Sequence, residues 1–329
     1  MLAAVLEISC SRSSNPSSKI ERLSILRFDN LTGDPSFDWL TTAAPGMLID
    51  QLTGSGQILP SLADSVSGAY IEQATRMGHG YFEKRAGKLH FAVLIEDSEN
   101  HKIVQRDTAD GPPLAAMGAL AKQLDPRARA FSTSNPEAAA AWGRGEFEQA
   151  AGLDPDFGLA WLAWAQKLAA GGDSGRAEEV AQRALMRPGL RSVIERTRLE
   201  LLLSSLRGDA QGRVHALQEL ARLIPADPSN LRALAEAEMN ARNFSEAARE
   251  YRELIQSGTG AADAGLENAL GYAEAFAGNL EAAKKAFAEY GREPGQAVNA
   301  LDSLGEGLFV NGKFAEAEKA FLEAYSKDS

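Results

Sequence analysis

The chain has 329 residues, of which 44% are hydrophobic and 24% are charged, and its formal net charge at pH 7 is -11. This length allows about two domains, and the negative charge argues against nucleic-acid binding because no basic face is available to neutralise phosphates. The single cysteine excludes an internal disulfide framework, and no apolar run is long enough to span a bilayer.

Residues 1–20 predict a leader. A short apolar run ends just before Cys10, and a serine-rich stretch follows it. This order resembles the end of a bacterial lipoprotein signal, with Cys10 as the lipidated residue and the protein on the periplasmic side of the cell envelope. Glu7 stands where an apolar residue is expected, and no Lys or Arg precedes Cys10. The alternative is a leader with an incidental thiol on a cytoplasmic protein.

Residues 21–125 predict an α/β domain. Apolar runs bounded by turn formers predict the strands, and amphipathic stretches predict the helices, one of which contains Pro45 as a point for a kink. The predicted strands are 23–28, 57–59, 80–84, 89–95 and 102–107, and the predicted helices are 37–52, 61–74 and 113–124. The order βαβαβββα implies a small mixed sheet covered by helices.

Three segments of this domain carry a family resemblance. Residues 23–35 read Leu-Ser-Ile-Leu-Arg-Phe-Asp-Asn-Leu-Thr-Gly-Asp-Pro, Trp39 and Leu40 begin a helix, and residues 79–91 form the first strand pair. Together they resemble the TolB-like amino-terminal module of bacterial repeat and regulatory proteins, which is related in shape to the FlgO and CsgG envelope families. The resemblance implies an accessory domain without catalysis. Residues 97–102 replace the family's Gly-containing turn and Trp, so a ligand for this domain stays an open question.

Residues 126–135 predict a linker, and residues 136–329 predict about five helical hairpins. Residues 136–152 form one helix or a shortened hairpin that leads into the first full repeat. Turn signals recur at residues 171–177, 242–247, 278–283 and 311–317. After three of these turns an aromatic residue follows a small one at helical spacing, and Leu270-Gly271 and Leu304-Gly305 precede the last two. We expect the large side chains of each second helix to pack on the small residues of the first.

This repeat resembles the tetratricopeptide family. The residues that carry the resemblance are Trp161, Leu270-Gly271, Ala283, Phe287, Leu304-Gly305, Ala317, Phe321 and the terminal prolines Pro155, Pro188 and Pro225. The copy at 191–225 is less regular, because Arg213 stands where the others have Ala. The resemblance implies an all-α superhelical solenoid whose first helices line a concave, partner-binding groove.

Positions one turn from the Leu-Gly pairs are expected to face that groove. The predicted partner-binding residues are Arg198, Arg232, Glu236, Asn240, Asn268, Tyr272, Phe276, Asn299, Asp302, Glu306 and Phe309. Amide and aromatic groups on such a face suit an extended peptide or a partner helix. The alternative is that Phe276 and Phe309 only pack between repeats and that the polar residues are only solvated.

The motifs of enzymes and metal sites are incomplete. Gly172-Asp173-Ser174-Gly175 resembles the loop around a chymotrypsin-like nucleophile, but Arg176 replaces the next glycine. The four histidines lack a metal-ligand spacing, and residues 258–260 lack the third glycine of a phosphate-binding loop. We therefore predict no enzyme activity, no cofactor and no metal.

The sequence predicts a non-catalytic scaffold or adaptor that binds a peptide or a partner protein in the repeat groove. Acidic residues outnumber basic ones mainly after residue 135, which favours a basic or neutral partner surface there. The alternative is a sensory or regulatory module, in which the α/β domain binds a small ligand and signals through the repeats.

Overall fold

The computed structural model describes residues 20–56, 58–258 and 265–327. Its first part contains the strands and helices of the predicted α/β order. The strands are β1 (Glu21–Leu26), β2 (Asp29–Asn30), β3 (Ile58–Ala63), β4 (Arg76–Arg85), β5 (Lys88–Asp97) and β6 (Ile103–Asp110). The helices are a 3-10 turn (Pro35–Phe37), α1 (Leu40–Leu52), α2 (Val66–Ile71) and α3 (Pro113–Leu124).

The strands form one mixed sheet in the order β3-β1-β4-β5-β6, and β2 pairs with β4. β1 runs parallel to both β3 and β4, whereas β4, β5 and β6 pair in antiparallel fashion. The residues that pack between the sheet, α1 and α3 are fully or almost fully buried; among them are Ile25, Met47, Phe82, Phe91, Met117 and Leu120. This burial supplies most of the free energy that holds the domain together.

Pro45 lies inside α1 without breaking it. A proline at this position has no N–H for the carbonyl of Thr41, four residues earlier. The backbone N–H of Phe28, just after β1, donates to that carbonyl at 2.9 Å instead. This hydrogen bond from Phe28 to Thr41 ties the end of β1 to the first turns of α1.

The predicted helix at 61–74 is wrong over part of its length. β3 continues to Ala63, because its backbone pairs with β1 in parallel as far as Leu26 and Ala63. The hydroxyls of Ser24 on β1 and Ser61 on β3 also form a hydrogen bond of 2.9 Å within this pair. Helix α2 starts only after Ser65, whose side chain accepts from the N–H of Gly68 as an N-cap. The first residue of the predicted strand at 57–59 lies outside the described residues.

The rest of the described chain is helical. Residues 136–152, for which one helix or a shortened hairpin was expected, contain two short helices. The helices are α4 (Pro136–Gly143), α5 (Phe147–Leu153), α6 (Gly158–Ala170), α7 (Ser174–Leu185), α8 (Val193–Arg207), α9 (Ala210–Leu223), α10 (Pro228–Asn240), α11 (Phe244–Ser257), α12 (Gly265–Phe276), α13 (Leu280–Tyr290), α14 (Ala297–Val310) and α15 (Phe314–Lys327). Consecutive helices pair as hairpins from α4/α5 to α14/α15.

Small residues on the first helices receive large side chains from the second, which confirms the expected packing. A Cβ atom added to Gly271 would lie less than 3.0 Å from the ring of Phe287, and one added to Gly305 would lie 2.5 Å from the ring of Phe321. Real Cβ atoms do not come that close, so only glycine leaves room for these rings. The same contact therefore recurs in successive hairpins and fixes the register of each.

Neighbouring hairpins pack asymmetrically. At the α6/α8 and α12/α14 steps the two first helices contact each other, and each second helix contacts the next first helix. Across the described ranges, successive second helices make no comparably close contact. The first helices are therefore next to each other at these two steps.

Buried glutamates add a polar contact to the hairpins. Glu274 on α12 is only 3% exposed. Its Oε2 accepts from Asn279 Nδ2 at 2.9 Å in the turn of its own hairpin, and its Oε1 accepts from Arg252 of α11. One repeat earlier the corresponding residues are Glu238, Asn243 and Gln218. Each glutamate thus links its own turn to the preceding hairpin.

Replacing Asn279 with alanine is expected to lower the free energy of unfolding by about 1–2 kcal/mol, because a buried carboxylate oxygen loses its donor. Urea unfolding of the full chain measures this loss. The matched control is Asn240→Ala, since Asn240 is exposed at the end of α10 and its loss should change stability by less than about 0.5 kcal/mol. Equal losses in the two variants would contradict the role given to the Asn279 amide.

Candidate protein-binding groove

The groove face is defined here as the sides of α10, α12 and α14 that carry the predicted partner-binding residues. Most of these side chains are exposed. The exposed ones are Arg232, Glu236, Asn240, Phe276, Asn299, Asp302, Glu306 and Phe309, and the half-buried ones are Asn268 and Tyr272. Arg198, on α8, lies in a different environment that is described below.

Four of the predicted residues converge on one cavity. It lies between α12, α14 and α15 and has a volume of about 270 Å³. Its lining consists of Tyr272, Phe276, Glu306, Gly307, Phe309, Val310 and Phe321. Most of these side chains are apolar, and the one carboxylate among them is that of Glu306. The cavity therefore combines an apolar floor with a single acidic group.

Tyr272 is held rigidly in this cavity. Its hydroxyl donates to Glu306 Oε2 at 2.6 Å, across from α12 to α14. Its ring packs edge-on against Phe287 with the ring centroids 5.3 Å apart. Burial and the hydrogen bond to Glu306 raise the pKa of the Tyr272 hydroxyl to about 12. The tyrosine is therefore a neutral donor at every physiological pH, and the cavity wall that it forms is preorganised.

Phe276 and Phe309 pack on one side and face solvent on the other. Phe276 packs against Phe244, with ring centroids 5.1 Å apart, and Phe309 packs edge-on against Phe314 at 5.3 Å. Their exposed fractions are nevertheless 44% and 57%. Packing within the repeats therefore accounts for only part of each ring's surface.

Other predicted residues make local contacts away from this cavity. Arg232 and Glu236 form an ion pair of 3.3 Å within α10, and Asn299 Nδ2 donates to Gln296 Oε1 at 2.9 Å. Asn268 Oδ1 is buried and has no hydrogen-bond partner among the described residues. These side chains extend the groove face, but they do not line the cavity.

Arg198 has surroundings that the sequence did not predict. The sequence placed it on the open groove, yet the structure half-buries it beside the α/β domain. Burial lowers the pKa of its guanidinium, while the carboxylate of Asp50, on α1, acts in the opposite direction. Its surroundings therefore differ from those of the exposed residues on the groove face.

Sequence reasoning missed Val310, Gly307 and Phe321 as lining residues of the cavity. Val310 lies one repeat after Phe276, so strict repeat arithmetic would have selected it. Phe321 had been assigned only to the core, where it packs on Gly305. A side chain can fill the core with one edge and line a cavity with the other.

The α/β domain contains a second, more polar cavity. It has a volume of about 450 Å³, and its lining includes Tyr70, Gln73, Arg76, Asp97 and Ser98. Ser98 Oγ is buried without a hydrogen-bond partner in the described chain. Arg76 and Asp97 form an ion pair at the same place. The lining of the cavity thus includes one basic side chain, one acidic side chain and the Ser98 hydroxyl, which has no hydrogen-bond partner among the described residues.

The histidines of this domain contact carboxylates. His79 Nε2 lies 2.9 Å and His101 Nδ1 lies 3.0 Å from the carboxylate of Glu96, and the hydrogen bond from His101 lowers the pKa of Glu96. His90 lies opposite Glu83 in the β4/β5 backbone pairing, and its Nδ1 lies 2.7 Å from Oδ1 of Asp110 on β6. Within residues 20–327 as described, no group of three or more His, Cys, Asp or Glu side chains could hold a metal ion.

No protein-family model and no curated protein matches this sequence. Solved structures that are similar to about half of the chain include the following three. MamA from Desulfovibrio magneticus RS-1 is 14% identical, with a TM-score of 0.42 over 51% of this chain and 93% of that one. YrrB, described as a TPR protein with an unusual peptide-binding site, is 13% identical, with a TM-score of 0.44 over 55% and 91%. The TPR-like repeats of a Podosopora anserina putative kinesin light chain are 14% identical, with a TM-score of 0.41 over 52% and 95%.

These neighbours include proteins described as having tetratricopeptide repeats. The resemblance of the helical part to tetratricopeptide solenoids rests on the Gly271/Phe287 and Gly305/Phe321 contacts of this chain itself. In the described chain, no helix is long and apolar enough to cross a membrane. Cys10 lies outside the described residues.

Proposed function

We propose that this protein is a non-catalytic scaffold or adaptor that binds a peptide or a partner protein on the groove face of α12 and α14. One observation carries the proposal. Side chains from two successive first helices, Tyr272 and Phe276 on one and Glu306 and Phe309 on the other, line the same cavity. A partner that lies across the repeats contacts both helices at once.

The size and chemistry of the cavity favour an apolar side chain of a polypeptide. Pockets for small molecules usually have volumes of ~300–1,000 Å³ and enclose most of the ligand, whereas this cavity of about 270 Å³ lies beside exposed rings. Exposed aromatic residues around a preorganised tyrosine are typical of the anchor sites of protein interfaces. Asp302 and Glu306 favour a basic or neutral segment next to the anchor.

Selection from a displayed peptide library on the full-length chain tests this function. We expect enriched peptides to share a large apolar residue and to lose most of their binding to a Phe309→Ala variant, because the exposed wall of the cavity is removed. Met186→Ala is the matched control, since Met186 is 72% exposed at the end of α7, away from the groove face. Enriched peptides that bind Phe309→Ala and the wild-type chain equally would contradict the proposal.

A sensory or regulatory module is the second candidate function. The cavity of about 450 Å³ in the α/β domain favours it, because the buried Ser98 hydroxyl and the Arg76–Asp97 pair could orient a small polar ligand. In that case the α/β domain recognises the ligand and the repeats transmit the change. The groove proposal has the stronger support, since several predicted residues converge there.

We also propose that the α/β domain is TolB-like and that Cys10 tethers the protein to a bacterial envelope. The first proposal is supported by residues 23–35 and 79–91 and by the mixed order of the strands. The second is supported only by the leader sequence around Cys10. A tethered scaffold would present its groove face to partners at the membrane surface.

A further inference from the structure

A cluster of charged side chains joins the α/β domain to the helical repeats. Arg129, from the segment between them, donates through Nη2 to the carbonyl and to Oδ1 of Asp50, at 2.6 and 3.1 Å. Its Nη1 donates to Ser192 Oγ at 3.3 Å, at the N-cap of α8. Glu195, one turn into α8, accepts from Ser132 through Oε2 at 2.8 Å. Residues of α1 in the α/β domain and of α8 in the helical repeats thus meet in this cluster.

Two carboxylates in the cluster are almost completely buried and incompletely paired. Asp50 is 5% exposed and Glu195 is 1% exposed. Asp50 Oδ2 and Glu195 Oε1 have no hydrogen-bond partner within the described residues. An ionised carboxylate in such a place loses its hydration without full compensation.

The balance of charge depends on the proton of Glu195. The groups that face this site are Asp50 from α1, Arg129 from the linking segment, Glu195 and Arg198 from α8, and Asp227 from the turn before α10. Burial also raises the pKa of Asp50, and the charges of Arg129 and Arg198 oppose that effect. With Glu195 neutral and both aspartates ionised, the two guanidinium groups match the two aspartates. When Glu195 ionises, the site carries one excess negative charge.

Further charged groups lie on the other side of Glu195. A cavity of about 490 Å³ there is lined by several polar residues, among them Asp154, Asp156 and Arg191. The Thr133 hydroxyl donates to Asp154, and Asp156 and Arg191 are exposed. These groups contribute two negative charges and one positive charge. They therefore do not offset the excess negative charge that the site carries when Glu195 ionises.

Burial, followed by the charge of Asp50, raises the pKa of Glu195 to about 7. The folded chain therefore holds this proton at pH values at which the unfolded chain, with an ordinary carboxyl pKa near 4.5, has lost it. The stabilisation linked to the proton is fully present below about pH 4.5 and is lost as the pH rises to about 7.

We propose that the contact between the α/β domain and α8 is a proton-controlled latch, which holds the two parts together while Glu195 is protonated and loosens when Glu195 ionises. Loosening admits water to the two carboxylates. It also uncovers Arg198, which occupies on α8 the position that Arg232 occupies one repeat later on the groove face. The latch thereby links pH to the length of the exposed groove.

Hydrogen exchange of the full-length chain tests the latch. Amides of residues 50–56 and 192–198 are expected to exchange about tenfold faster at about pH 8 than at about pH 5.5, after correction for the intrinsic pH dependence of exchange. Amides of α14 are expected to show no such difference. Glu195→Gln should abolish the pH dependence, because the amide stays neutral throughout the range.

Two further variants separate the latch from other titrations. Glu267→Gln is the matched control, since burial also raises the pKa of Glu267 but the residue lies on α12; it should behave as the wild-type chain does. Asp50→Asn removes the charge that raises the pKa of Glu195, so Glu195 ionises more easily and the loosening should move to lower pH. Exchange that is independent of pH in the wild-type chain, or an unchanged pH dependence in Glu195→Gln, would overturn the proposal.

Discussion

Replacing Phe287 with alanine is expected to lower the free energy of unfolding by about 3–5 kcal/mol, the usual cost of truncating a fully buried phenylalanine. The ring is 1% exposed and fills the space above Gly271. It also contacts Gly307 of the next hairpin, where an added Cβ would lie 2.9 Å from the ring. Its removal therefore leaves a cavity that touches two hairpins, and urea unfolding of the full chain measures the loss.

Phe314→Ala is the matched control for this change. Phe314 is also a phenylalanine of a second helix, but it is 62% exposed. Its truncation should cost less than about 1 kcal/mol, because little apolar surface returns to water. Similar losses in the two variants would show that Phe287 does not act as the central side chain of its repeat.

Adding one methyl group at Gly271 is expected to lower the free energy of unfolding by about 1–3 kcal/mol. Glycine to alanine in a helix normally stabilises by about 1 kcal/mol, so the expected sign is reversed. The reason is steric, because the new Cβ would collide with the ring of Phe287, which is buried.

Gly175→Ala supplies the comparison with the opposite sign. Gly175 is in the first turn of α7, and nothing lies within 4 Å of the Cβ that alanine would add there. This variant should be more stable than the wild-type chain, by up to about 1 kcal/mol. Thermal unfolding of both variants measures the difference, and a stabilised Gly271→Ala chain would refute the large-on-small packing of the repeats.

The sequence predicted the repeats well because their signals are local. A glycine in a first helix and an aromatic residue in the second lie within one hairpin, so Gly271 with Phe287 and Gly305 with Phe321 could be paired by spacing alone. The β4/β5 hairpin was predicted for the same reason, from a short turn between two apolar strands. Both predictions required only contacts between neighbours along the chain.

Errors arose where distant contacts decide the structure. The boundary between β3 and α2 depends on pairing with β1, more than thirty residues earlier, and the apolar pattern of 61–74 gave no sign of it. Arg198 was predicted on the groove from the repeat spacing, but its burial and the charge of Asp50 that acts on it come from contacts outside the repeat. Contacts between two domains follow no repeating sequence pattern, so a single sequence does not reveal them.

The burial of two glutamate side chains was not predicted, for a related reason. Glu195 and Glu274 are among many glutamates of acidic helices, and such residues are usually solvated. What distinguishes them is their donors, Ser132 for the first and Arg252 with Asn279 for the second. Only the packed structure brings these donors together with their acceptors.

Titration of one selected peptide into the full-length chain tests the central claim most directly. The account predicts that the double variant Phe276→Ala with Phe309→Ala binds this peptide at least about tenfold more weakly than the wild-type chain, as expected for the loss of two exposed anchors. Met186→Ala should bind it with the wild-type affinity. An unchanged affinity in the double variant would contradict the assignment of the groove face of α12 and α14 as the binding site.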